Sequence, residues 1–129
     1  MTMPASIRKR PKYLDLLKIR QPVPAIVSIL HRVSGALLFL AIPFSLALLQ
    51  GSLASPESFA RWRDALAHPV SKLLLLGFLW VLLHHLFAGL RHLALDLHLG
   101  IDLGAARFWS KVVLCVGAIA TLLLGALLW

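Results

Sequence analysis

Three apolar runs, each long enough to cross a bilayer, dictate what this chain can fold into. About 20 apolar residues span the hydrocarbon core at roughly 1.5 Å rise per residue. The first run extends from about Val23 to Leu49, with Val33 to Leu49 uninterrupted. The second extends from Pro69 or Val70 to about Leu97, and the third from about Phe108 to Trp129. In a chain of 129 residues, 60% of them hydrophobic, one soluble core could not bury this much apolar surface. The reading is an all-α integral membrane protein with three transmembrane helices. It forms a single membrane-anchor domain, residues 1–129, with spans near 23–50, 69–97 and 108–129.

The net charge of +8 raises the question of nucleic acid, and its distribution answers it. Arg8, Lys9, Arg10, Lys12, Lys18 and Arg20 precede the first apolar run, and Asp15 is the acid among them. This basic segment, residues 1–22, has no folded reading domain and flanks a membrane helix, so no nucleic-acid partner is expected. It keeps the N-terminus in the cytoplasm. Three spans then put the C-terminus on the periplasmic side of a bacterial inner membrane. Arg91, Arg107 and Lys111 flank the inside turn, but Arg61, Arg63 and Lys72 flank the outside loop, so the N-terminal cluster tips the balance. A cleaved signal does not fit, because the basic region is too long and the apolar segment after it is a full span. Cys115 is the single cysteine, which excludes an internal disulfide and a thiolate cluster; it reads as a small apolar residue of the third span.

The connections carry local signals. Pro22 and Pro24 mark the start of the first helix, and Pro43, deep within it, should kink or loosen it. Ser55-Pro56-Glu57 has the order of an N-cap, a first-turn proline and an acid at the helix dipole. It opens a short interfacial helix through Phe59 and Trp62. Gly100 to Gly104 reads as a short turn, with Asp102 a candidate cap. Gly117, Thr121 and Gly125 recur every four residues, either as a small-residue packing face or as glycines scattered in a membrane helix.

Against this apolar background two polar groups stand out, because ionisable residues inside a membrane are costly and face protein, cofactor or water. In the first, Ser28-Ile29-Leu30-His31-Arg32-Val33-Ser34-Gly35, Ser28 and Arg32 share a helix face. That hydroxyl and guanidinium could hold a carbonyl, a carboxylate or a lipid phosphate; alternatively Arg32 reaches to the headgroups and His31 is an interfacial polar residue. In the second, from His84 to Asp96, helical spacing places His85, Gly89, His92 and Asp96 on one stripe. His84 and Arg91 form a second stripe about 100° away. Gly89 removes bulk where a flat macrocycle could approach, and imidazole is a strong axial ligand for haem iron. Arg91 or Arg32 could pair with its propionates. The first two spans run in opposite directions, so Arg32 lies near the depth of Arg91 and His92, with His85 about 10 Å further in. A polar network that holds helices together is the alternative. A zinc or copper site is disfavoured by the absence of a His-x3-His pair.

At these residues the sequence resembles the cytochrome b subunits of succinate dehydrogenase, a family of membrane anchors. The resemblance rests on Ser28-Ile-Leu-His31-Arg32-Val-Ser34-Gly35 and on His85-x-x-x-Gly89-x-Arg91-His92-x-x-x-Asp96. The opening Arg10-Pro11-Lys12-Tyr13-Leu14-Asp15-Leu16 matches too, and the likeness reaches the C-terminal Trp129. It implies half of a heterodimeric helical anchor, with haem b held between this chain and a second three-helix subunit. His85 takes the axial ligand position, and the other ligand is a histidine of the partner. Ser28 and Arg32 match positions lining the ubiquinone pocket beside the iron–sulfur subunit, and Arg32, His31 and His92 are propionate neighbours. His84 departs from the pattern by placing a second histidine beside the ligand, so Gly89-x-Arg91-His92 spacing selects His85, with His84 the alternative. The resemblance also implies a flavoprotein subunit that oxidises succinate, since this chain has no dinucleotide fingerprint and no cysteine cluster. A fumarate reductase anchor, or a structural adaptor without cofactor, are the competing functions.

Overall fold

The computed structural model describes residues 18–128, side chains to residue 127; the basic positions Arg8, Lys9, Arg10 and Lys12, the opening motif around Asp15, and Trp129 lie outside them. Four helices follow in order: α1 (Val23–Ser52), α2 (Pro56–Ala67), α3 (Pro69–Asp96) and α4 (Leu103–Leu128). Three of them, α1, α3 and α4, are long and apolar enough to cross a membrane. At 30 residues α1 extends about 45 Å, more than the roughly 30 Å hydrocarbon core. It continues as one element through Pro43.

Each helix starts where its sequence allows. The Pro22 carbonyl accepts the first amides of α1, from Ala25 (2.9 Å) and Ile26 (3.2 Å). Ser55 Oγ accepts the Ser58 N–H at 3.1 Å, with Pro56 and Glu57 in the first turn of α2, as expected from the sequence. His68 caps α3 by accepting the Val70 N–H on Nδ1 at 3.3 Å, a role its residue type did not announce. After Asp96 the chain reverses through His98 (φ 60°) and Gly100 (φ 72°), both left-handed. Glycine suits that conformation and histidine tolerates it only at a turn. The reversal is complete by residue 102, so α4 begins at Leu103, ahead of the apolar run expected from about Phe108. Gly104 is already helical, and Asp102 contributes its backbone carbonyl to the Ala106 N–H (2.8 Å).

Packing inverts the pattern of a soluble protein. The buried apolar residues are Val27, Ala88 and Val113, and the buried polar ones are Ser34, Ser58, His84, Ser110 and Thr121. Large apolar side chains such as Phe39 and Phe44 point outward. In lipid there is no hydrophobic gain in burying them, so small residues that let backbones approach make the interior. Buried Ser110 and Thr121 satisfy their hydroxyls on their own helix, at Ala106 O (2.6 Å) and Gly117 O (2.7 Å). The Gly117, Thr121 and Gly125 face meets α3: an added methyl on Gly117 would sit 3.8 Å from the His84 Cα, and one on Gly125 would run into Leu76. That pairing, 117 with 84 and 125 with 76, shows α3 and α4 antiparallel.

The short helix α2 folds back onto the end of α1. Trp62 lies over Gly51, and Ser58 Oγ donates to the Gly51 carbonyl. A hydrogen bond from its own backbone N–H, and then one from the Ser55 hydroxyl, hold the Glu57 carboxyl below the usual carboxylate range. With the folded pKa depressed, this contribution is complete above the ordinary carboxylate range and is lost as pH falls through the lowered value. The protection of the Ser58 and Phe59 amides, measured relative to their intrinsic exchange rates at each pH, should therefore fall on acidification below that range. Glu57→Gln should remove the pH step, and identical profiles for the two proteins would refute the assignment.

Candidate functional site

The polar residues of α1 and α3 meet where the start of α1 lies against the last third of α3. His31, in α1, stacks on His85, in α3, with ring centroids 4.2 Å apart and planes 12° from parallel. The His31 ring also lies 5.0 Å from that of His92, tilted by 43°. Two glycines make this possible. An added methyl on Gly35 would come within 2.9 Å of His85 Cε1, and one on Gly89 would sit 3.5 Å from His31 Nε2. The notch at Gly89 thus receives the His31 ring in the chain by itself.

The hydrogen bonds fix the tautomer of His85. Its Nδ1 lies 3.1 Å from the His31 carbonyl and 3.1 Å from Ser34 Oγ, and the Ser34 hydroxyl donates to the same carbonyl at 2.9 Å. A carbonyl only accepts, so Nδ1 carries the proton. In a neutral imidazole the lone pair then belongs to Nε2, which makes no hydrogen bond among the described residues. This is the arrangement by which a protein presents a neutral imidazole as a metal ligand, its other nitrogen donating to a backbone carbonyl. The sequence motif contained Ser34 and Gly35 without a role for either. Their signal was the spacing of three and four residues from His31, which puts all three on one face of α1.

His84 occupies a different place. It is fully buried, stacks on Trp80 with centroids 5.3 Å apart, and backs onto Gly117 of α4. The Val27 carbonyl approaches its ring without completing a hydrogen bond, and neither nitrogen has a partner among the described residues. Arg91 lies on the same stripe and lines a cavity between α3 and α4. The two stripes expected to share one sector therefore have different surroundings: His85, Gly89 and His92 face α1, Arg91 faces α4, and the His84 ring is buried beside Trp80 and the α1 backbone at Val27. The separation of about 100° on a helix with a neighbour on each side accounts for this.

Ser28 is half-buried and Arg32 exposed, at the margin of the α1 face that carries His31, about 60° and 100° round the helix from it. Among the described residues neither side chain is hydrogen-bonded. Asp96, the last residue of α3, is exposed, and among the described residues no group of three or more His, Cys, Asp or Glu is arranged to hold a metal ion by itself.

With this geometry, the chain matches the family described as succinate dehydrogenase/fumarate reductase transmembrane subunit over residues 6–124. The chain belongs to that family. It is similar to the succinate dehydrogenase cytochrome b556 subunit of Coxiella burnetii, 43% identical over 122 residues that cover 94% of this chain and 98% of the relative. It is similar also to the cytochrome b556 subunit of Paracoccus denitrificans, 31% identical over 114 residues, 88% of each chain. The succinate dehydrogenase/fumarate reductase membrane-subunit family accords with the three spanning helices, and the chain is an all-α, multi-pass membrane anchor.

Proposed function

We propose that this chain is the cytochrome b anchor of a succinate:quinone oxidoreductase, binding haem b through His85 and forming part of the ubiquinone-reduction site with Ser28 and Arg32. The observation that carries the reading is the His85 imidazole, its Nδ1–H held by the His31 carbonyl and Ser34 and its Nε2 left for a ligand bond. The relatives named cytochrome b556 subunits support it.

The donor set fits haem. Imidazole nitrogen is a strong ligand for haem iron, and His85 would hold the group from this chain. This chain offers one oriented imidazole, and a second anchor subunit provides the other. When bound, haem b supplies a one-electron redox centre. Ser34 and the His31 carbonyl orient His85, Gly35 admits its ring, and Arg32, His31 and His92 serve the propionates by charge-assisted hydrogen bonds. Arg91, turned into the α3–α4 cavity, is not needed for this, and neither is Asp96.

Ser28 and Arg32 act on the quinone. The Ser28 hydroxyl donates to a ring carbonyl, and the Arg32 guanidinium stabilises negative charge growing on that oxygen as the ring takes up two electrons and two protons. The electrons come from succinate, oxidised in a flavoprotein subunit and passed through an iron–sulfur subunit docked on this end. The N-terminus and this site face the cytoplasm of a bacterial inner membrane. The family embraces fumarate reductases, which run the reaction in reverse, but the Coxiella and Paracoccus relatives are both named for succinate dehydrogenase.

The test uses the purified complex. Reduced-minus-oxidised spectra should contain a b-type haem band, and its absence would sink the cytochrome assignment. Ser28→Ala and Arg32→Ala should each lower quinone reductase activity by about tenfold or more, roughly 1.4 kcal/mol or more in the barrier. Succinate oxidation by an artificial acceptor should persist. Equal loss of both activities would refute a quinone-specific role.

A further inference from the structure

Between the end of α3 and the start of α4 lies a cavity of about 350 Å³ that the haem and quinone reading leaves unused. Its walls are apolar, with Phe87, Leu95, Val113, Val116 and Trp109 among them, and Arg91 brings the charge. The Arg91 Nε is buried and has no hydrogen-bond partner among the described residues, and neither Asp96 nor Asp102 forms an ion pair with the side chain. A guanidinium in an apolar wall calls for an anion, because a half-desolvated charge without a partner is costly.

The cavity opens sideways. Trp109 is 52% exposed and Val116 40% exposed on the outer surface of the bundle. The occupant therefore comes from the bilayer and carries an apolar chain. Arg91 stands five residues before the end of α3, about 7.5 Å of helical rise, a depth that fits a headgroup phosphate with its acyl chain directed inward. Exposed Arg107 and Lys111 make this end of the bundle positive, which favours a net negative headgroup over a choline. We propose that the α3–α4 cavity is a binding site for one anionic phospholipid, its phosphate on Arg91 and an acyl chain between Phe87, Leu95, Val113 and Val116. This assignment stands apart from the haem and quinone reading, since it uses another face of α3.

Native mass spectrometry of the whole complex, stripped of lipid with detergent and then offered palmitoyl-oleoyl phosphatidylglycerol or phosphatidylcholine, tests it. The wild type should retain one more phosphatidylglycerol than Arg91→Gln, and about tenfold more phosphatidylglycerol than phosphatidylcholine at this site. Ala94→Phe fills the cavity while keeping the arginine, and it should also lose that lipid. It keeps the test decisive even where Arg91→Gln fails to assemble. Arg61→Gln, an exposed position of α2 away from this cavity, should leave the count unchanged. Equal retention by wild type and both cavity variants, or no preference over phosphatidylcholine, would overturn the site. Displacement of the lipid by millimolar inorganic phosphate alone would overturn the role of the chain.

Discussion

Replacing His85 by alanine in the assembled complex should abolish the b-type haem band, whereas replacing its neighbour His84 by phenylalanine should leave the band in place. The two histidines are adjacent in sequence and differ by about 100° around α3, and that angle decides their chemistry. His85 meets α1, where the His31 carbonyl and Ser34 hold Nδ1 and leave Nε2 for a bond. His84 is fully buried, its ring on Trp80 and its backbone against Gly117 of α4. Its unpaired nitrogens cost about 1–3 kcal/mol in a buried site, so phenylalanine, with similar shape, should be neutral or stabilising. Free imidazole should restore part of the band in the His85→Ala complex. An unchanged spectrum in His85→Ala together with loss of the band in His84→Phe would reverse the ligand assignment.

Gly35→Ala is the second substitution with a large expected effect, though it removes no functional group. The added methyl would lie 2.9 Å from His85 Cε1 and 3.4 Å from Nδ1. An imidazole held by two polar contacts and stacked on His31 has nowhere to move without breaking one of them. Overpacking of this kind costs about 1–3 kcal/mol, and the displaced hydrogen bond about 1 kcal/mol more. The outcome should be a lower melting temperature and reduced haem content in the purified complex. Gly125→Ala is the comparison: its methyl would meet the flexible end of Leu76, which can swing away, so little change is expected. Wild-type haem content in Gly35→Ala would show that the His85 position is not fixed by this contact.

The helices themselves were legible because a bilayer imposes length and composition on each span, and the Ser55-Pro56-Glu57 start of α2 because capping depends on local residue types. The turn after α3 comes a few residues earlier than Gly100 to Gly104 predicts, since the left-handed conformations of His98 and Gly100 complete the reversal before the apolar run of α4 begins. His31 looked interfacial because one histidine in isolation says nothing about what covers it. It proves to be the centre of the cluster, with its ring on His85 and its carbonyl on Nδ1.

By itself the sequence determined three membrane helices and the set of polar residues lipid would not accept, because burial of charge and span length depend on residue type and order. Only the tertiary structure decided which helix each polar residue faces. It turned His85 toward α1 and Arg91 toward α4, and it gave Ser34 and Gly35 their purpose. The contacts of His85 join residues more than fifty positions apart, and helical periodicity fixes relative angle without fixing which neighbour fills it.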